Sequence, residues 1–256
     1  MLSIIAAVAA NSWKQFVRDR IFYVVLIMAM LMLGFSYLLA TLTFVESRKI
    51  LLDFGFSAMS LSGVLTATYI GIVAVAREIE QRTIYSVITK PVSRQAYLVG
   101  KFIGAALVLA VTHLLMAFTI WGILYELGEG FPSGLPSCFL LIYLENLVVL
   151  ATAFLCSAFS SSVLAGGLTI AFFLIGRSNP SFAVMSEKAQ TGGVKLVAKA
   201  LYYSMPNFER FNIRDVVAYD RPFPPEMIWI GVVYAAAYVL VCLSASSLVI
   251  RGRDLP

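Results

Sequence analysis

Charge is scarce in this chain. Only 13% of its 256 residues are Asp, Glu, Lys or Arg, against roughly 25% in soluble domains. Hydrophobic residues make up 60% and the mean hydropathy is +0.88, so a water-soluble fold of this size could not hide its apolar surface. Histidine is scarcer still. His113 is the single one, which excludes a multi-His metal site within one monomer, and no His-Glu-x-x-His signature occurs. The three cysteines, Cys138, Cys156 and Cys242, show neither a paired nor a metal-ligand spacing and read as packing residues. No phosphate loop is present, because the lone Gly-Lys pair, Gly100-Lys101, lacks the earlier glycine and the following hydroxyl. The chain is therefore expected to hold no cofactor or metal and not to hydrolyse ATP by itself.

Long apolar runs are what the sequence does contain. A spanning helix needs about 20 mostly apolar residues, and runs of that kind lie at Ile21–Thr43, Phe56–Ala76, Lys101–Ile123, Pro136–Phe159, Val163–Gly176 and Met227–Ile250. The fifth is the shortest and could borrow Ser160, Ser161 and Ser162, whose hydroxyls can bond back to the helix backbone. Continuous rather than alternating hydrophobicity argues against a β-barrel. The expected fold is all-α and integral to the membrane, a single unit over 1–256 with six transmembrane helices. The first span reads as retained, because Lys14, Arg18 and Arg20 follow the small-residue stretch rather than precede an apolar core.

The net charge of +5 does not point to nucleic acid, since the basic residues sit beside spans, where they set topology and meet anionic lipids. Lys14, Arg18, Arg20, Arg77, Arg82, Lys90, Arg94, Lys101, Arg251 and Arg253 fall on one side of a six-span arrangement. Arg48 and Lys49 fall on the other, with Glu46, Asp53, Glu126 and Glu129. The positive-inside rule puts the first group, and both termini, in the cytoplasm. The 178–225 segment also carries six basic residues, but long segments translocate with less regard to charge.

Before the first span, Trp13, Phe16 and Val17 recur at i, i+3, i+4, with Lys14, Gln15 and Arg18 on other faces. That predicts an interfacial helix over 1–20; an ordinary basic flank is the plainer alternative. Between spans two and three, Ile84, Val87 and Ile88 form a narrow apolar stripe on a polar helix, Pro91 interrupts it, and Ser93 is placed to N-cap the next helix. Tyr97 and Lys101 suit the membrane interface at the entry to span three. The 178–225 stretch is too long for a passive connector. Val194, Val197 and Leu201 share one helical face, Lys195 and Lys199 another, and Pro206-Asn207 marks a turn before Phe208 and Phe211, so short amphipathic helices are expected on the outer side. Gly63, Gly71, Gly166 and Gly167 are placed to let helices pack closely.

The order of these features resembles the permease subunit of ABC-2-class ATP-binding-cassette transporters, whose members are mostly exporters. The resemblance rests on the basic N-terminus, Glu80-Gln-Arg-Thr-Ile84, Lys90-Pro-Val-Ser-Arg94, Tyr97, Gly100-Lys101 and Arg251-Gly-Arg-Asp254. One departure is Arg82, where a glycine commonly precedes the threonine. The resemblance implies a half-transporter of the bacterial inner membrane that pairs with a second copy and binds two cytoplasmic ABC ATPase subunits, with ATP and Mg held by those partners. Glu78–Lys90 would be a coupling helix in an ATPase cleft, so that Glu78, Glu80, Arg82, Thr83, Ile84, Val87, Ile88, Lys90, Pro91, Ser93 and Arg94 form the expected contact region. Ser3–Arg20, with Trp13, Phe16, Val17 and Arg18, would be a connecting helix. The long outer segment raises an extracytoplasmic partner. The competing reading of the loop is a solvated connector with topogenic charges.

Two ionisable residues lie inside spans, His113 and Glu145, where such groups are costly and are paired or functional. At about 1.5 Å per residue, His113 lies about 18 Å from the cytoplasmic edge and Glu145 about 14 Å from the outer one. In a core of about 30 Å they could meet, or each could line a path between two copies. A satisfied interhelical hydrogen bond is the structural alternative. An ion-gradient-driven secondary transporter or channel is the alternative function, but it would call for inverted halves and broken charged helices, which the sequence does not display. An intramembrane enzyme would need more clustered polar residues than this pair.

Overall fold

The computed structural model describes residues 2–42, 47–80, 93–188 and 192–252. Among them all regular secondary structure is helical: α1 (Leu2–Val17), α2 (Arg20–Leu42), α3 (Ser47–Glu80), α4 (Arg94–Glu126), α5 (Leu135–Phe159), α6 (Ser162–Arg177), α7 (Asn179–Lys188), α8 (Gly192–Ser204), α9 (Arg214–Ala218) and α10 (Glu226–Gly252), with a 3-10 turn at Phe208–Phe211. Five helices are long and apolar enough to cross a membrane, or six if the bent pair α6–α7 counts as one.

That pair covers the fifth expected span and is bent. A helix of 16 residues rises only about 24 Å, short of the hydrocarbon thickness, and after Arg177 the axis turns by 57° into α7. The second span is longer than its apolar run, because α3 carries Arg48, Lys49 and Asp53 at one end and Arg77, Glu78 and Glu80 at the other within 34 residues.

Helices α3 and α5 form the centre, with 78% and 67% of their apolar windows buried, against 22% for α2 and 17% for α10. α4 and α6 each pack on both central helices, α2 lies on α3, and α10 lies on α5. Val24, Leu31 and Leu38 on α2 and Trp229, Val233 and Leu240 on α10 are exposed. In water these stripes would drive aggregation; against acyl chains they are simply solvated.

Close approach is set by glycine. A Cβ on Gly71 would sit 2.4 Å from the Ala153 Cβ, which fixes the α3–α5 contact. The docking of α1 depends on a pair that the sequence reading had not singled out for packing. Gly100 and Gly104, one turn apart on α4, lie beneath α1, where a Cβ would come 3.0 Å from the Ile5 carbonyl and 2.7 Å from that of Ala9. Ala9, Ser12 and Phe16 of α1 are buried, Trp13 and Val17 are half-buried, and Lys14 and Arg18 are exposed. Of the glycines expected to serve packing, Gly63, Gly71 and Gly166 touch neighbouring helices, and Gly167 faces open space.

The segment after α6 is built of short helices, as its periodicity predicts. Val194, Val197 and Leu201 of α8 face Phe182 and Met185 of α7 across an apolar groove. Asn207 caps the 3-10 turn by accepting from the Glu209 N–H, and Phe208 and Phe211 are buried. Gly176 lets the Pro206 carbonyl approach where a Cβ would stand 2.5 Å away. Buried Asn179, just past the bend, donates to the Tyr202 carbonyl at 3.1 Å, tying α7 to the end of α8.

Candidate functional site: polar ties at the end of α3 and the bundle centre

Two clusters interrupt the apolar bundle. The first is where α3 ends. Residues Ile72–Ala76 adopt a π-helical turn, which draws carbonyls out of the regular ladder. Lys101 of α4, only 2% exposed, donates to the Ala74 carbonyl at 2.8 Å and forms an ion pair with Glu78. Tyr97 donates to the other Glu78 oxygen at 2.9 Å. The aromatic and the cation expected at the membrane interface are thus both held by α3. Such burial of an ammonium is tolerable because carboxylate, carbonyl and the Tyr97 ring, 5.1 Å away, surround it.

Glu80 reaches a third helix. Its carboxylate accepts from the Ser162 N–H and the Ser162 hydroxyl, both at 2.8 Å, capping α6 where orphan N–H groups and the helix dipole favour negative charge. Ser93 caps α4 as its position predicts, accepting from the Ala96 N–H at 3.3 Å. Arg94 opens that helix. Arg82, Thr83, Ile84, Val87, Ile88, Lys90 and Pro91 lie outside the described residues. The described flank before residue 81 is therefore anchored to both α4 and α6. Replacing Glu80 by alanine is expected to raise amide hydrogen exchange at Ser162 and the next two residues, leaving the Tyr97–Lys101 turn protected.

The second cluster is in the bundle centre, and it rearranges the expected His113–Glu145 pair. The structure does not join these two residues. His113 Nδ1 lies 2.8 Å from the Leu109 carbonyl, which can only accept, so Nδ1 carries the proton. Its Nε2 then accepts from Asn146 at 2.9 Å, and Asn146 also donates to the Ile142 carbonyl at 3.0 Å. Gly63 makes room for that amide, since a Cβ there would lie 2.2 Å from the Asn146 nitrogen.

Glu145, with no exposed surface, turns to the other side. It accepts from Arg214 at 2.7 Å and Arg177 at 3.2 Å, and from Ser60 at 3.4 Å. One carboxylate therefore joins α3, α5, the end of α6 and the start of α9. Neither arginine stood out from composition or spacing. The available signal was the shortness of the fifth run: a 16-residue helix starting near one membrane face must place its last residue, Arg177, at depth. Glu145 is ten residues into α5, or about 15 Å along its axis, and Arg177 arrives at that level.

A family model described as ABC-2 family transporter protein matches residues 6–190, a stretch that runs from α1 past the end of α7 and holds both clusters except Arg214. The chain belongs to the ABC-2 transporter family. No curated protein matches it. As a multi-pass ABC-2 membrane component the chain is a transport subunit rather than a catalyst, and membership implies association with an ABC ATPase partner. Among the described residues no group of His, Cys, Asp and Glu side chains is arranged to hold a metal.

Proposed function

We propose that this ABC-2 permease subunit is an exporter of the bacterial inner membrane. It works as a homodimer, with both termini cytoplasmic and its substrate path between the two copies. Two ATPase subunits, which hold ATP and Mg, dock on the 78–94 region, and the 178–225 segment lies on the extracytoplasmic side, where it could meet a further partner. α1 serves as the connecting helix at the cytoplasmic interface.

The observation that carries this reading is the double anchorage beside the 81–92 segment. Glu78 is bound to α4 and Glu80 to α6, so a push on the segment that follows would reach both helices at once. Charge supports the orientation, with Arg77, Lys101 and the basic N-terminus at the end where Glu78 and Glu80 lie.

The test is co-purification. With an affinity tag on the full chain, an ABC ATPase is expected in stoichiometric yield from native membranes, and it should be lost when Ile84, Val87 and Ile88 are all changed to Asp while the permease still elutes as one monodisperse peak. Retention of the ATPase by that triple variant would refute docking at this segment.

A further inference from the structure

The Arg177–Glu145–Arg214 centre holds two permanent positive charges and one carboxylate. Among the described residues neither guanidinium has a second hydrogen-bond or ion-pair partner, so each uses one of its five donors within the chain. The Arg214 Nε is buried and unpartnered. Arg177 differs, with 31% of its side chain exposed, so part of this cation is accessible at a level midway along α5. A charge at that depth cannot rest against hydrocarbon without a large cost. Leu174, one turn earlier on α6, is exposed beside it.

We propose that this centre is an anion site in which the open fork of Arg177, backed by Arg214, receives a phosphate group. Glu145 orients the two guanidiniums and neutralises only one of them. A guanidinium fork matches a phosphate through two parallel donors, and weak hydration makes it the cation best suited to a partly buried site. The phosphate could be the headgroup of an anionic phospholipid, whose acyl chains would lie along the exposed Leu174 side of α6, or a free phosphate. The chemistry at the fork is the same.

The full chain in a neutral maltoside detergent would be titrated with phosphatidylglycerol, phosphatidylcholine and inorganic phosphate. Bound lipid is counted by native mass spectrometry, and affinity is read from the shift in unfolding temperature. One phosphatidylglycerol or one phosphate per chain is expected. Affinity should fall by about tenfold or more in Arg177→Gln, and hold in Arg210→Gln, an exposed arginine of the neighbouring 3-10 turn. Stabilisation by inorganic phosphate identifies the free anion as sufficient, and stabilisation by phosphatidylglycerol alone identifies the lipid headgroup; either supports the site if it depends on Arg177. Equal binding of phosphatidylcholine, equal loss in the two glutamine variants, or no saturable binding overturns it. Arg177→Gln leaves a balanced Arg214–Glu145 pair; should it nevertheless fail to fold, Arg177→Lys keeps the charge, removes the fork, and must also weaken phosphate binding. No ATPase enters the assay, so its outcome is independent of the transport reading.

Discussion

Replacing Glu145 by alanine is expected to destabilise the protein by about 3–5 kcal/mol, the range for removing one partner of a buried ion pair. The reason is charge balance rather than a lost contact. Without the carboxylate, the guanidiniums of Arg177 and Arg214 are left as like charges around a site where Glu145 had no exposed surface. Removing either arginine leaves one cation and one anion, so Arg177→Ala should cost markedly less, the more so because that side chain is partly exposed. Unfolding midpoints in detergent, with the yield of monodisperse protein, would read this order. A triple change of Glu145, Arg177 and Arg214 to leucine or methionine should recover much of the loss, since well-packed apolar residues often replace a buried ionic group without penalty. Glu145→Ala behaving no worse than Arg177→Ala would refute the charge accounting.

The other large effect is expected at Gly71, where leucine should cost about 3 kcal/mol or more, the upper end of overpacking penalties. Here the obstacle is not a flexible side-chain end. An added Cβ meets the Ala153 Cβ at 2.4 Å, with the Ala153 backbone at 3.3 Å, so the two central helices must separate. Gly167, which faces open space, provides the control: Gly167→Leu on the same bundle should leave the unfolding midpoint nearly unchanged. Separation at Gly71 would also disturb the adjacent π turn that presents the Ala74 carbonyl to Lys101, so increased hydrogen exchange across Ile72–Ala76 should accompany the loss. Equal midpoints for the two variants would sink the argument.

Much of the bundle was legible without coordinates, because transfer into a bilayer depends on the apolar content of a continuous stretch and on little else. Five of the six predicted runs became single helices long and apolar enough to span, the second with charged turns added at both ends. The Ser93 cap, the Asn207 turn and the shared face of Val194, Val197 and Leu201 were equally readable, since each is a local matter of hydroxyl, amide or helical period. The fifth run was legible as apolar but not as bent.

The polar groups followed a different logic. Counting residues along two spans put His113 and Glu145 at similar depth, and depth says nothing about which way a side chain turns. His113 faces Asn146 while Glu145 faces Arg177 and Arg214; the last of these is 69 residues away in sequence. Gly100 and Lys101, read first as a family motif and an interfacial cation, became the seat of α1 and a buried tie to Glu78. Sequence alone thus determined that this chain lies in a membrane, roughly where it crosses, and which turn resembles an ABC-2 coupling region, because these rest on local composition and short motifs. Tertiary structure alone decided which charges meet and which glycines carry contacts, because in a low-dielectric bundle a charge must find its partner wherever packing brings one within reach.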